Sequence, residues 1–176
     1  MASEPCVMAR RQTPGLVLTA LAALLLAGCS GYTNKSLYPQ DVKSIYVQMF
    51  DNRTFRRGLE FTLSDALAKR IESDTPYRII SDKDRTDSIL DGQLVVIAES
   101  VLTQDREIGR PLEKEVVLTA TVDWKNLRTG RMMINHRSIS AAASYSEFLN
   151  QDFTYASTLA ANKLAEKIVE VMQDNW

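Results

Sequence analysis

The sequence predicts an α+β fold: a mixed, largely antiparallel β-sheet with two α-helices packed on one face, in the order β-α-β-β-β-β-α. Three observations support this. Apolar and polar residues alternate in long runs between residues 90 and 145, as in strands with one dry face. Two other stretches, near 59–75 and 152–173, repeat apolar residues every three to four positions, as amphipathic helices do. Both helices can pack their apolar stripes side by side on the dry face of the sheet.

Two short strands flank the first helical stretch. The first is predicted over Lys43–Phe50, which is dense in strand-forming residues, with Ile45, Val47 and Met49 on one face. Polar residues then break the alternation before the helix begins. The second short strand is predicted over Tyr77–Ser81.

The first helix is predicted to begin at Leu59 and to end before Pro76, because proline interrupts helical hydrogen bonding. The last helix is predicted over Asp152–Gln173. Each helix has one apolar stripe. The two stripes consist of Leu59, Leu63, Ala66, Leu67 and Ile71, and of Phe153, Ala156, Ala160, Leu164, Ile168, Val171 and Met172.

Three longer strands form a predicted antiparallel meander, with turns at Gly109–Pro111 and at Thr129–Gly130. The dry face of the first consists of Leu90, Gly92, Leu94, Val96, Ala98 and Leu102. The dry face of the second consists of Val116, Leu118, Ala120, Val122 and Trp124. In the third, the apolar parity changes between Ile134 and Ile139, so we predict a β-bulge near residues 136–138.

The amino terminus has the three parts of a secretory signal peptide. Arg10 and Arg11 supply positive charge, residues 16–26 are almost wholly apolar, and small residues precede Cys29. The apolar run is shorter than the ~20 residues of a membrane-spanning helix. Leu-Ala-Gly-Cys at 26–29 resembles a bacterial lipobox, which predicts removal of residues 1–28 and lipid attachment to the Cys29 sulfur. A secreted protein with a chance cysteine there is the alternative.

The remaining chain is predicted to be an acylated tether at residues 29–41 and a single α+β domain at residues 42–176. Residues 1–28 hold two of the 21 basic and one of the 22 acidic side chains, so 19 and 21 remain. This near balance argues against nucleic-acid binding, which needs a strongly basic domain. Cys6 leaves with the signal peptide and Cys29 is acylated, so no thiol remains for a disulfide.

The sequence shows no recognisable catalytic or metal-binding pattern. His136 is the only histidine and is more simply explained as part of the bulge; one histidine without a thiol makes neither a zinc site nor a triad. Asp82, Asp84 and Asp87 resemble a calcium loop only superficially, because the required glycine and distal glutamate are missing. We therefore predict no enzyme activity, no cofactor and no metal.

Arginines gather in segments that the predicted chain direction places together. If the first strand runs away from the tether, the loop after it and the turn between the last two strands share the far end. The arginines there are candidate phosphate ligands, because guanidinium is a planar fork of donors; they are Arg53, Arg56, Arg57, Arg128 and Arg131. Local ion pairs on solvated loops are the alternative. The polar sheet face, with Thr119 and Thr121, is either solvated or meets a wet partner surface.

The segment from Cys29 to Leu67 resembles the start of lipopolysaccharide-assembly lipoproteins of the LptE type. In that family an acylated Cys-Gly-Tyr segment leads into a strand, an Asn-x-Thr loop and a Gly-Leu-Glu helix. Here Gly31-Tyr32 follows Cys29, with Ser30 inserted between, and the carboxy-terminal half matches by element order alone. The loop and helix pattern is matched by Asn52, Thr54, Gly58, Leu59 and Glu60.

The resemblance implies a non-enzymatic lipoprotein of the outer membrane that faces the periplasm. It implies that the protein plugs a large LptD-like β-barrel and helps to deliver lipopolysaccharide, whose phosphates the arginines would contact. Ser30 also favours the outer membrane, since an aspartate there often retains lipoproteins in the inner membrane. Two other classes stay open: a structural or regulatory lipoprotein, such as a cell-wall synthase activator or a subunit of another lipid transporter, and an unrecognised hydrolase.

Overall fold

A computed structural model of the protein describes residues 36–173, so the predicted signal peptide and Cys29 lie outside the described residues. Two short 3₁₀ turns cover Lys83–Arg85 and Glu147–Leu149. The main elements in chain order are β1 (Ser44–Val47), β2 (Asp51–Asn52), α1 (Leu59–Asp74), β3 (Arg78–Ile79), β4 (Ser88–Gln104), β5 (Pro111–Asn126), β6 (Met132–Tyr145) and α2 (Phe153–Val171).

The strands form one mixed sheet in the order β3-β1-β4-β5-β6, with β2 beside β4. β1 is parallel to β3 and β4, whereas β4, β5 and β6 form the antiparallel meander. Both helices contribute their apolar stripes to one core with the sheet. The predicted α+β architecture is confirmed.

The dry face of β5 forms the centre of the core and matches the prediction fully. Its five apolar residues are at most 1% exposed: Val116, Leu118, Ala120, Val122 and Trp124. The predicted stripe of α1 is also buried at all five positions. Strict alternation in a strand buried on one face is therefore enough to predict its register.

The first strand is shorter than predicted. β1 ends at Val47, and the N–H of Phe50 donates to Ser64 Oγ on α1 over 3.3 Å. Because the strand is interrupted, the Phe50 side chain turns inward and is only 2% exposed, whereas Met49 is 50% exposed. The prediction that Met49 shares a face with Ile45 and Val47 is therefore wrong. The second short strand is reduced to Arg78–Ile79.

An extra residue in β4 changes the face that its outer half buries. Leu94 pairs with Ala120, but Val96 pairs with the adjacent Thr119, which leaves Val95 as a bulge. Val96 is 45% exposed, and Ile97 packs on the core instead. The predicted dry face of this strand is therefore wrong beyond Leu94, including at Ala98 and Leu102.

The bulge predicted in the last strand is confirmed. Ile134 pairs with Trp124 and Arg137 with Val122, which leaves one extra residue in β6. His136 lies there with a φ of 46°, and its N–H donates to Asp123 Oδ1 over 2.7 Å.

Part of the predicted tether packs on the domain. Tyr38 is 9% exposed, and its ring meets Tyr77 edge-on with 5.8 Å between centroids. The Tyr77 hydroxyl donates to the Pro39 carbonyl, and Asn126 donates to Asp41. These contacts place residues 36–41 in the same compact unit as the strands and helices that follow.

The direction of β4 corrects the predicted grouping of loops. Ser88, its first residue, pairs with Ile45 of β1 and with Asn126 at the end of β5. The β5–β6 turn therefore lies where β1 begins, which we call the near end. The β2–α1 loop and the β4–β5 turn lie at the opposite end, the far end. Grouping Arg128 and Arg131 with the β2–α1 loop is wrong, because β4 runs parallel to β1.

Gly92 in β4 provides a test of this packing. A Cβ there would clash with the Thr121 carbonyl oxygen and lie 2.6 Å from the buried Phe50 ring. We expect Gly92→Ala to lower the free energy of unfolding by about 1–3 kcal/mol through overpacking, measured by urea denaturation. The control is Gly109→Asn in the β4–β5 turn, where φ is 64° and nothing lies near, and where asparagine tolerates the conformation. Equal stability of both variants would contradict the packing.

Candidate functional site

A closed hydrogen-bond network centred on Asn52 holds the β2–α1 loop. Asn52 Nδ2 donates to Glu60 Oε2 over 2.6 Å and to the Arg56 carbonyl over 2.7 Å. Asn52 Oδ1 accepts from the N–H and the hydroxyl of Thr54. The asparagine, threonine and glutamate of the family-like motif thus share one task, which is to fix the loop that presents arginines at the far end.

Glu60 also closes the start of α1. Gly58 precedes the helix with a φ of 97°, which favours glycine, and its N–H donates to Glu60 Oε2 over 2.9 Å. Burial works to raise the pKa of Glu60, but hydrogen bonds from its own N–H, Asn52 and Gly58, with the charge of Arg57, outweigh it and lower that pKa. A carboxylate at a helix start is further favoured by the helix dipole.

A pocket of about 480 Å³ lies between the starts of α1 and α2. Both helices begin at the far end, because α1 follows the outgoing β2 and α2 follows β6, which runs in the same direction as β4. The positive ends of both helix dipoles therefore face this pocket. Its polar lining consists of Arg56, Arg57, Thr62, Thr154, Ser157 and Thr158.

The three arginines of the loop differ in how firmly they are held. The Arg56 guanidinium carbon lies 3.7 Å from the centroid of the Phe153 ring, and its Nη2 lies 3.7 Å from Glu99 Oε2. Arg53 pairs loosely with Asp51 at 3.8 Å. Arg57 is exposed, and none of the carboxylates in residues 36–173 forms an ion pair with it. Arg57 is thus the cation most available to an external anion.

A charge network across the ends of three strands supports Arg56. The Tyr145 hydroxyl donates to Glu99 Oε1 over 2.6 Å, and Lys114 Nζ lies 2.7 Å from Glu147 Oε1 and 3.9 Å from Glu99 Oε1. Burial and the bond to Glu99 raise the pKa of Tyr145, and Lys114 lowers the pKa of Glu147. Sequence reasoning missed this network, because Glu99 and Tyr145 stand 46 positions apart.

The other two candidate arginines lie at the near end. Arg128 Nη1 lies 3.4 Å from Asp87 Oδ1, and Asp87 Oδ2 accepts the N–H groups of Lys43 and Ser44. Arg131 lines a small pocket beside Pro39. The structure therefore brings Arg53, Arg56 and Arg57 together and separates them from Arg128 and Arg131.

The aspartates of the calcium-like stretch have structural contacts. Asp82 Oδ1 accepts the N–H of Asp84 at the start of a 3₁₀ turn, and Asp87 joins β1 to β4. Across residues 36–173, no group of three histidine, cysteine, aspartate or glutamate side chains is placed to hold a metal ion. Within the same residues, every helix is too short or too polar to cross a membrane.

Several apolar side chains are exposed in the loops of the far end. Phe55, in the β2–α1 loop, is fully exposed, and Ile108, Phe148 and Leu149 are between 55% and 71% exposed. The Arg110 guanidinium lies 4.6 Å from the centroid of the Phe148 ring. These residues lie in loops and a 3₁₀ turn, where no periodicity marks them. The far-end loops thus carry both exposed apolar side chains and arginines.

Comparison with known proteins gives one family and a set of structural neighbours. The family model described as "LptE: Lipopolysaccharide-assembly" matches residues 42–174. None of the curated protein sequences matches the chain.

The structural neighbours are distant in sequence. Hypothetical protein CT253 from Chlamydia trachomatis has 10% identity and a TM-score of 0.53, over 73% of this chain and 94% of that chain. Uncharacterized lipoprotein B from Nitrosomonas europaea has 12% identity and a TM-score of 0.53, over 81% and 88%. The PelC dodecamer structure from Paraburkholderia phytofirmans has 12% identity and a TM-score of 0.50, over 80% and 96%. At these identities the likeness concerns the fold alone.

The lowered pKa of Glu60 makes a prediction about pH. A carboxyl whose pKa is lower in the folded state stabilises the fold above its ordinary value of 4.5, and this stabilisation is lost as pH falls through the folded value. We therefore expect Glu60→Gln to be less stable than the unchanged protein at pH 7, with the difference shrinking below pH 4.5. Urea denaturation across this pH range measures it.

Glu72→Gln is the matched control for this measurement, since Glu72 is exposed on the same helix. We expect that variant to follow the unchanged protein at every pH. A stability difference for Glu60→Gln that stays constant from pH 7 to pH 3 would show that its charge has no part in closing the helix.

Proposed function

Because the chain belongs to the LptE family of lipopolysaccharide-assembly proteins, we propose that it is an outer-membrane lipoprotein that assists lipopolysaccharide transport by plugging an LptD-like β-barrel. The family is a non-enzymatic one of envelope lipoproteins, and its model matches residues 42–174, which include the far-end pocket. The proposal adds a lipid anchor on Cys29, an orientation toward the periplasm, and direct contact with lipopolysaccharide phosphates.

The observation that most supports ligand contact is that arginines and an exposed aromatic side chain occur together in the β2–α1 loop at the far end. Arg56 and Arg57 line the pocket between the two helix starts, and Arg53 and the fully exposed Phe55 precede them in the same loop. Lipopolysaccharide places phosphates next to acyl chains, so a ligand of this kind needs cations and apolar groups side by side. Guanidinium forks bind phosphate oxygens in pairs.

The five arginines of the sequence prediction divide between the two ends of the sheet, so they do not serve one headgroup together. Arg128 already pairs with Asp87 at the near end. We therefore assign the phosphate contacts to Arg53, Arg56 and Arg57. Arg131 lies at the near end, so its replacement serves as the control for replacing an arginine of the far end.

The polar face of the sheet supports docking into a barrel. Thr119 Oγ1 and Ser140 Oγ lie 2.8 Å apart across β5 and β6, and Thr121 pairs with Ser138 beside them. Hydroxyl groups on this face suit the water-lined interior of a barrel, where dry packing is not available. The opposite face is already covered by both helices.

Replacing Arg57 tests the ligand assignment. We expect Arg57→Ala to weaken binding of purified lipopolysaccharide to the purified protein about threefold to tenfold, since one exposed charge-assisted contact is lost. Surface plasmon resonance at low ionic strength measures the affinity, with Arg131→Ala as the matched control. An equal loss in the control would show that the response reflects net charge and not the far-end pocket.

Photocrosslinking from Phe55 tests the barrel partner. A photoreactive phenylalanine at this fully exposed position is expected to give adducts with an LptD-like barrel in native envelopes, whereas the same group at Leu127 of the near-end turn is not. Mass spectrometry identifies the adducts. Adducts with a cell-wall synthase would instead support the regulatory alternative, and equal barrel adducts from both positions would contradict contact of the barrel with the far end.

A further inference from the structure

The outer half of β4 has an edge that nothing in residues 36–173 pairs with. β2 ends at Asn52, and the last backbone bond across this edge runs from the Arg53 N–H to the Leu94 carbonyl, over 3.0 Å. From Val96 to Gln104, β4 is paired only with β5. A row of backbone donors and acceptors at an open edge is a template for one more strand.

The register identifies the backbone groups that point outward. The Leu94 carbonyl faces β2, and Leu94 pairs with Ala120 of β5. In an antiparallel pair, backbone groups face the partner strand and face away from it at alternate positions. The β4 residues that pair with every second residue of β5, counted from Ala120, therefore also face away from β5. The β4 residues that pair with the next three such positions are Ile97, Glu99 and Val101. Their N–H and C=O groups therefore face away from β5.

The opposite edge of the sheet is partly covered by side chains of α2. Lys163 Nζ donates to the Ala142 carbonyl over 3.2 Å, and Lys167 Nζ donates to the Ser140 carbonyl over 2.7 Å, so two lysines of α2 occupy the outer carbonyls of β6. The remaining edge strand, β3, has only two residues. Lysines and short strands are the usual means by which proteins protect sheet edges. The outer half of β4 has neither.

The side chains along this edge are neutral apart from Glu99. Glu99 is already bound by the Tyr145 hydroxyl and by Arg56, so it presents no free charge to an approaching strand. Ala98 and Ser100 are small, and Val101 is 42% exposed. An incoming strand thus meets no unpaired charge along this stretch, and the exposed Val96 and Leu102 present apolar side chains to it.

We propose that the outer edge of β4 binds a neutral, extended segment of the LptD-like barrel, which adds to the sheet as another strand. The inference rests on the proposed function and deepens it by naming the mode of contact. The edge lies in the far half of the molecule, which also carries Phe55, the position expected to crosslink to the barrel. In strand addition the backbone supplies the hydrogen bonds and alternate side chains supply the specificity.

Amide hydrogen exchange at single-residue resolution tests this. The full-length lipidated protein is measured alone and in complex with the co-expressed barrel of the same bacterium. We expect the amides of Ile97, Glu99 and Val101 to exchange about tenfold more slowly in the complex. The amides of Ala98 and Ser100, which already face β5, are expected to change much less.

The outcomes separate the two proposals. An assembled complex in which the three outward amides exchange as in the free protein would overturn strand addition and leave the proposed function intact. Failure to form any complex would overturn both. Protection that arises in the protein alone and disappears on dilution would identify a second copy as the occupant and overturn the barrel segment.

A proline variant provides an independent measurement. Val101→Pro removes one outward N–H without removing a bond to β5, whereas Val101→Thr keeps both the N–H and the side-chain shape. We expect the affinity for the barrel to fall about tenfold in the proline variant and to stay unchanged in the threonine variant. Equal affinities would overturn the proposal. Thermal unfolding checks that Val101→Pro folds; if it does not, hydrogen exchange of the unchanged protein decides alone.

Discussion

The junction between the first residues of β1 and β4 determines where every loop of the molecule lies. Asp87 Oδ2 accepts hydrogen bonds from the N–H groups of Lys43 and Ser44. Burial works to raise the pKa of Asp87, but these hydrogen bonds outweigh it and lower that pKa, so the carboxylate stays charged. The Ser44 carbonyl accepts from Ser88 Oγ, which itself accepts from Trp124 Nε1 in the buried interior. These bonds hold β4 parallel to β1, and both helices consequently start at the same end of the sheet.

Much of the secondary structure could be predicted because burial on one face leaves a readable period. β5 alternates without a break, and the change of parity between Ile134 and Ile139 shows the bulge at His136. The bulge in β4 left no such mark. Its surroundings, Val95, Val96 and Ile97, are all apolar, so a shift of one residue does not disturb the pattern.

The candidate site could be predicted only where its contacts are local. Asn52 and Glu60 are eight positions apart, and their hydrogen bond keeps Arg53, Arg56 and Arg57 in one loop. The direction of β4 depends on contacts such as that of Ser44 with Asp87, which span 43 positions and follow an irregular loop. The alternation of apolar and polar residues does not indicate that contact. The direction of β4, and with it the end at which Arg128 and Arg131 lie, therefore cannot be predicted from the sequence.

Lys163 and Lys167 make the two long edges of the sheet unequal as sites for adding a further strand. A filament elongates when each added molecule exposes a fresh surface equivalent to the one just occupied, and this requires two complementary open sides. Here two carbonyls on the outer side of β6 are already bound by ammonium groups from the molecule's own helix, so this edge is a poorer template for an added strand than the outer edge of β4. The same two side chains thereby make growth of the sheet through both of its long edges unfavourable.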